Sequence, residues 1–168
     1  MAARFRVEAE AMARLNHPNV TTVHDLVSDG GDWAIVMELV EGPNLERMLE
    51  SQDLDMPRAL DLLSGIAAGL EAMHGVGVAH LDLKPSNVIV RDPDGILGPL
   101  PPDAPVLVDF GLAGRAPRPG CGTASYGAPE VWGHIDGPPA QAAAADVYAF
   151  GCLAFEPASY PPPPPPAK

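Results

Sequence analysis

The sequence predicts an α+β domain, and three observations carry that prediction. Apolar residues recur at helical spacing near the start, where Phe5, Ala9 and Met12 share one face, and again in the middle and the Ala-rich end of the chain. Between these stretches lie two pairs of short β-branched runs bounded by Gly, Pro and Asp. The whole is 168 residues with 46% hydrophobic and 19% charged side chains, which is material for one core rather than two.

In chain order, the first helical face also carries Glu8, so a carboxylate is aimed inward, and Asn16-His17-Pro18-Asn19 ends the helix with turn chemistry. Residues 21–27 and 33–40 read as two strands around Asp29-Gly30-Gly31-Asp32, a hairpin signal. After Glu41-Gly42-Pro43-Asn44 comes a short helix with Leu45, Met48 and Leu49 inside. Pro57 then opens a longer helix whose expected core stripe is Leu60, Leu63, Ile66, Ala67, Leu70 and Met73. Residues 88–90 and 106–108 predict a β-ribbon joined by a long Pro/Gly/Asp-rich surface loop. Residues 140–156 are Ala-rich and apolar with Asp146 embedded. The prolines that follow cannot continue a helix, so residues 157–168 are expected to be a disordered, polyproline-like tail.

Ten Lys and Arg against 22 Asp and Glu leave a formal charge of −12, which excludes a nucleic-acid binder working by bulk charge. Cys121 and Cys152 show neither a disulfide framework nor zinc-ligand spacing. The first residues lack the apolar core of a signal peptide, and no run approaches the ~18 apolar residues that span a bilayer. The expectation is a cytoplasmic chain without a membrane segment.

The chemistry concentrates in His80-Leu81-Asp82-Leu83-Lys84-Pro85-Ser86-Asn87, a loop between the long helix and a strand, and in Asp109-Phe110-Gly111 at the end of the next strand. A carboxylate that can accept a proton, a lysine, and an Asn with a second Asp able to hold Mg²⁺ are what phosphoryl transfer requires. Its catalysis is positioning and charge neutralisation, and hard oxygen ligands suit magnesium.

These segments resemble the protein kinase family, most closely bacterial-type serine/threonine kinases. The loop is similar to H-R-D-L-K-x-x-N, Asp109-Phe110-Gly111 to D-F-G, and Ala128-Pro129-Glu130 to A-P-E, with Gly122 to Glu130 resembling the substrate-positioning loop. Asp146-Val-Tyr-Ala-Phe-Gly151 resembles the start of the family's buried F helix, Glu8 its C-helix glutamate, and Met37-Glu38-Leu39-Val40 its gatekeeper and hinge. Each motif alone is commonplace; their joint order carries the resemblance. It implies a kinase-like fold over residues 1–156, with a partial small lobe and hinge at 4–40 and the large lobe through the F helix at 41–156. It further implies Asp82 as catalytic base, Lys84 on the transferring phosphate, and Asn87 and Asp109 on Mg²⁺. Glu38 and Val40 would offer hinge backbone to the adenine of ATP, and Glu8 would support the nucleotide site. Thr123, with Lys84, implies a protein Ser or Thr as acceptor. Met12, His80 and Phe110 would stack in an internal spine.

The chain also departs from the family. Lys84 and Lys168 are its only lysines, and no Gly-x-Gly-x-x-Gly occurs, so the strand lysine and glycine-rich loop are missing. The expectation is a piece of a serine/threonine kinase truncated at both ends; the alternatives are a non-catalytic kinase-like binding module, a pseudokinase, or a decayed remnant. Glu130 would lack the family's arginine partner, and an apolar face of the F-helix region would be exposed. Leu81 replaces the H-R-D arginine, with Arg115 and Arg118 as partial substitutes, so weak dependence on phosphorylation of the activation segment is expected.

Overall fold

The computed structural model describes residues 9–30, 32–51, 54–91, 100–110, 113–115, 122–123, 125–129, 131 and 142–159. Glu8, Arg118, Cys121, Glu130, the loop at 92–99 and the tail from 160 onward lie outside the described residues. Residues 9–12 are helical, and Ala9 and Met12 are buried as their spacing requires. Two strands follow, β1 (Val23–Asp29) and β2 (Asp32–Met37), antiparallel with Asp29 opposite Asp32. That register leaves a two-residue turn in which Gly30 takes φ +56°, a conformation glycine adopts without penalty. The second strand stops at Met37, short of Val40. One further bond, Glu38 N–H to the Thr22 carbonyl at 2.9 Å, closes the ladder before the chain bends through Gly42 at φ +146° into Pro43.

Helix α1 (Leu45–Ser51) begins at Asn44, whose side chain accepts the Arg47 amide at 2.9 Å. Helix α2 (Met56–Gly75) is capped in the same way by Asp55 on the Arg58 amide at 2.9 Å, with proline in its first turn. Its buried stripe is Ala59, Leu62, Gly65, Ile66, Gly69, Leu70 and Met73. The expected stripe was partly wrong: Leu60 is 59% exposed and Ala67 also faces solvent, because two glycines rather than larger side chains complete the inner face. The glycines have a reason. A Cβ on Gly65 would stand 2.4 Å from Pro105 Cγ and one on Gly69 2.9 Å from the Asn19 carbonyl, so α2 is contacted there by backbone and proline.

The ribbon is β3 (Val88–Val90) against β4 (Pro105–Leu107), antiparallel with Val88 opposite Leu107. The other edge of β4 takes the segment after the first helix: Leu107 N–H donates to the Asn19 carbonyl at 2.8 Å and Thr21 N–H to the Leu107 carbonyl at 3.0 Å. Asn19 is buried and its amide donates to the Pro102 and Pro105 carbonyls, both at 2.8 Å. This seam ties residues 9–40 to the rest. Helix α3 (Ala142–Ser159) runs past Pro157, three residues beyond the expected end at 156. In the last turn proline forfeits one backbone bond at most, so the helix tolerates it. One core joins Met12, Val20, α1, α2, the ribbon, Phe110 and Leu153 of α3. Val147, Tyr148 and Phe155 of α3 are exposed, as expected of its apolar face.

Candidate active site

The loop from His80 to Asn87 is suspended from a buried carboxylate. Asp146, fully buried in α3, accepts the His80 amide and the His74 ring Nε2 on Oδ2, both at 2.8 Å, and the Leu81 amide on Oδ1 at 2.8 Å. An ionised side chain in an Ala-rich helix is costly unless its lone pairs are satisfied, and three donors satisfy them. The Leu81 bond holds a strained backbone, since Leu81 has φ +64°, a region that leucine rarely visits.

His80 is held from both ring nitrogens. Its Nε2 lies 3.0 Å from the Val108 carbonyl, and its Nδ1 accepts the Asp82 amide at 3.4 Å, which together put the proton of a neutral ring on Nε2. Burial pushes the His80 pKa below its usual value, against the opposing pull of Asp146 and the Val108 carbonyl. The ring meets Phe110 edge-on, centroids 5.9 Å apart, and Met12 lies in the same core as Phe110. The members of the expected spine are all buried, and the rings of His80 and Phe110 meet.

Asp82 presents its carboxylate at the front of this frame. Oδ1 accepts the Thr123 hydroxyl at 2.9 Å, and Oδ2 pairs with Lys84 Nζ at 2.9 Å. Lys84 also donates to Thr123 Oγ1 at 3.2 Å, closing a triangle of three side chains from two segments. Asn87, buried, donates its amide to the Asp82 carbonyl at 2.9 Å and to Oδ2 at 3.3 Å. The Val108 amide donates to the Asn87 carbonyl at 3.0 Å, so Asn87 and Asp109 sit at the same end of the ribbon. Asp109 takes φ +64°.

Four of the expected site residues, Asp82, Lys84, Asn87 and Thr123, are brought together directly, and Asp109 stands at the adjoining strand end. Glu38 and Val40 lie apart, at the end of the hairpin. Val40 is buried, and the Glu38 carboxylate pairs with Arg91 Nη2 and takes the Thr22 amide at 3.4 Å. Arg91 also donates to the Pro18 carbonyl at 3.2 Å. Sequence reasoning missed Arg91, placed only in a loop, and the hydrogen bond from the Tyr126 hydroxyl to Glu156. Burial and then this Glu156 contact push the Tyr126 pKa upward. The anchoring work of Asp146 had a visible signal: a lone carboxylate in an apolar helix.

A carboxylate beside a lysine and a hydroxyl, on a loop hung from a buried aspartate, is compatible with the phosphoryl-transfer chemistry expected from the sequence. The family is shown by comparison: a model of the protein kinase domain matches residues 1–166, and the chain belongs to that family. It is 40% identical to the serine/threonine-protein kinase PkaA of Streptomyces coelicolor over 95% of this chain, and 38% identical to PkaB of the same organism over 93%. To the serine/threonine-protein kinase PknA of Mycobacterium tuberculosis it is 35% identical over 91%. The chain spans 29%, 38% and 36% of those proteins, about a third of the length of the curated relatives it matches. No described helix is long and apolar enough to cross a membrane.

Proposed function

We propose that the chain is a piece of a serine/threonine protein kinase, an enzyme that transfers the γ-phosphoryl group of ATP to a serine or threonine hydroxyl of a protein. The observation that carries this reading is the Asp82 carboxylate, with one oxygen on the Thr123 hydroxyl and the other on Lys84. In the reaction the acceptor oxygen forms a bond to the γ-phosphorus, the bond from that phosphorus to the β-γ bridging oxygen breaks, and ADP departs. Asp82 takes the acceptor's proton, Lys84 sets its charge against the phosphoryl oxygens, and Thr123 keeps the carboxylate oriented. The Asn87 amide nitrogen is engaged by Asp82, leaving its side-chain oxygen, with the Asp109 carboxylate, as the hard donors that suit Mg²⁺. Bound there, the ion would neutralise phosphate charge. Glu38 and Val40 supply backbone for the adenine, and Glu8 supports the phosphate side.

The test is transfer of labelled phosphate from Mg-ATP to Ser/Thr and Tyr peptides. Asp82→Asn should lower turnover by roughly 10²–10⁴-fold while nucleotide affinity is retained. Equal loss of nucleotide binding would make Asp82 structural. A cooperative thermal transition that Mg-ATP leaves unmoved would favour the alternative, a kinase-like binding module, over phosphoryl transfer.

A further inference from the structure

Leu81 stands in the middle of the catalytic loop but contributes none of its polar groups. Its amide N–H donates to Asp146 Oδ1 and its φ is +64°, and from that backbone its partly buried side chain packs against a second apolar cluster, separate from the main core. The cluster is Ala128 and Val131, from the segment that follows Thr123, and Ala145 of α3, which are 1%, 8% and 7% exposed.

We propose that Leu81 is a positioning residue, an apolar clasp that holds residues 122–131 against the catalytic loop so that Thr123 stays on Asp82. This rests on the phosphoryl-transfer reading and deepens it, naming what aligns the acceptor side of the site. The Thr123 hydroxyl makes two part-buried hydrogen bonds, both to charged groups, and water can compete for each of them. What makes them persist is the backbone behind them. Tyr126 and Gly127 N–H donate to the Thr123 carbonyl at 3.0 and 2.9 Å, and Val131 N–H donates to the Ala128 carbonyl at 2.9 Å, so two local turns run between Thr123 and Val131. Fixing Ala128 and Val131 therefore fixes Thr123. At the other end Gly122, at φ +114°, lies beside the Leu81 carbonyl, where a Cβ would be in ordinary van der Waals contact at 3.4 Å. An apolar clasp needs no charged partner and is not screened by salt, which distinguishes it from an ionic tie.

The test is amide hydrogen exchange on the full chain for Leu81→Ala and Leu81→Met, with Michaelis constants for ATP and for a Ser/Thr acceptor peptide measured alongside. In Leu81→Ala, exchange at Tyr126, Gly127 and Val131 should quicken about tenfold while α2 stays at the wild-type rate, and Leu81→Met should restore protection. The acceptor KM should rise several-fold while the ATP KM holds. Unchanged exchange at 122–131 overturns the clasp, and so does equal acceleration in α2, which would make Leu81 an ordinary core residue. If the wild type transfers no phosphate, the functional reading fails, and exchange alone still decides the clasp.

Discussion

The loop that carries Asp82 and the hairpin that carries Glu38 are held in place by different means. From His80 to Asn87 the polar groups are tied to Asp146, Val108, Thr123 and one another, beneath a fully buried histidine. On the hairpin Val27, Val36 and Met37 face solvent, Leu39 is 84% exposed, and the side-chain tie is the Arg91 pair on Glu38. A two-stranded hairpin is marginal by itself, so its position depends on the Asn19 seam beneath it. The loop at 80–87 is thus held by buried polar ties, whereas the hairpin, which sends Val23 and Ile35 into the core, is otherwise joined by a few attachments that can be cut one at a time.

The largest effect should come from the buried anchor. Asp146→Ala would leave the buried His80 amide and the partly buried Leu81 amide without their acceptor. Breaking such a charge-assisted cluster costs about 3–5 kcal/mol. Urea denaturation should show most of the stability gone; a loss below ~1 kcal/mol would mean that the loop is held elsewhere. Next is the seam. Gly65→Ala would place its Cβ 2.4 Å from Pro105 Cγ and 2.8 Å from the Pro102 carbonyl, and overpacking of this kind costs about 1–3 kcal/mol. If the hairpin is positioned by the seam, exchange in β1 and β2 should quicken more than exchange in the loop at 80–87.

Titration of His80 separates the two regions further. Its folded pKa is lowered, chiefly by burial, so the unfolded chain binds the proton first. Stability from the neutral ring is complete above the unfolded value of about 6.5 and is lost as pH falls below it, by at most ~1.4 kcal/mol per pH unit. Urea midpoints between pH 7.5 and 5.5 should show the wild type losing more than His80→Gln. Parallel curves would mean that the ring titrates alike in both states.

Much of this was legible in the sequence, for reasons that can be named. Pro57, the apolar stripe and the Asn44 turn are local signals, and both short strands of the ribbon were found within one residue. Leu60 and Ala67 were misassigned because counting apolar side chains ignores glycine. The packing face of α2 runs through Gly65 and Gly69, whose value depends on Asn19 and Pro105 coming close. The segment from His80 to Asn87 was singled out from order and type, and its side chains do gather around Asp82, but Asp146 bonds across 66 positions to His80, a relation no local pattern carries. Arg91 was lost for the same reason: its partners, Pro18 and Glu38, come from the other end of the seam. The helix past Pro157 shows the opposite error, a local rule overridden because the last turn has few bonds to lose.

The smallest expected effect tests the hairpin's side-chain tie. Arg91 joins the Pro18 carbonyl to the Glu38 carboxylate, while its own backbone is held by the Ala104 carbonyl at 2.8 Å, so truncating the side chain should leave the ribbon intact. Both charged groups remain about a third exposed, where ion pairs contribute at most ~1 kcal/mol after side-chain entropy and solvent screening. Arg91→Ala should therefore lower global stability by less than that, and the difference should shrink in high salt as screening weakens the wild-type pair. The local effect should be clearer than the global one. The Glu38 amide, bonded to the Thr22 carbonyl at 2.9 Å, should exchange several-fold faster, while the Val108 amide on Asn87 keeps its protection. Equal acceleration at both would mean that the two regions open as one unit, and the contrast between a buried loop and a tethered hairpin would fall.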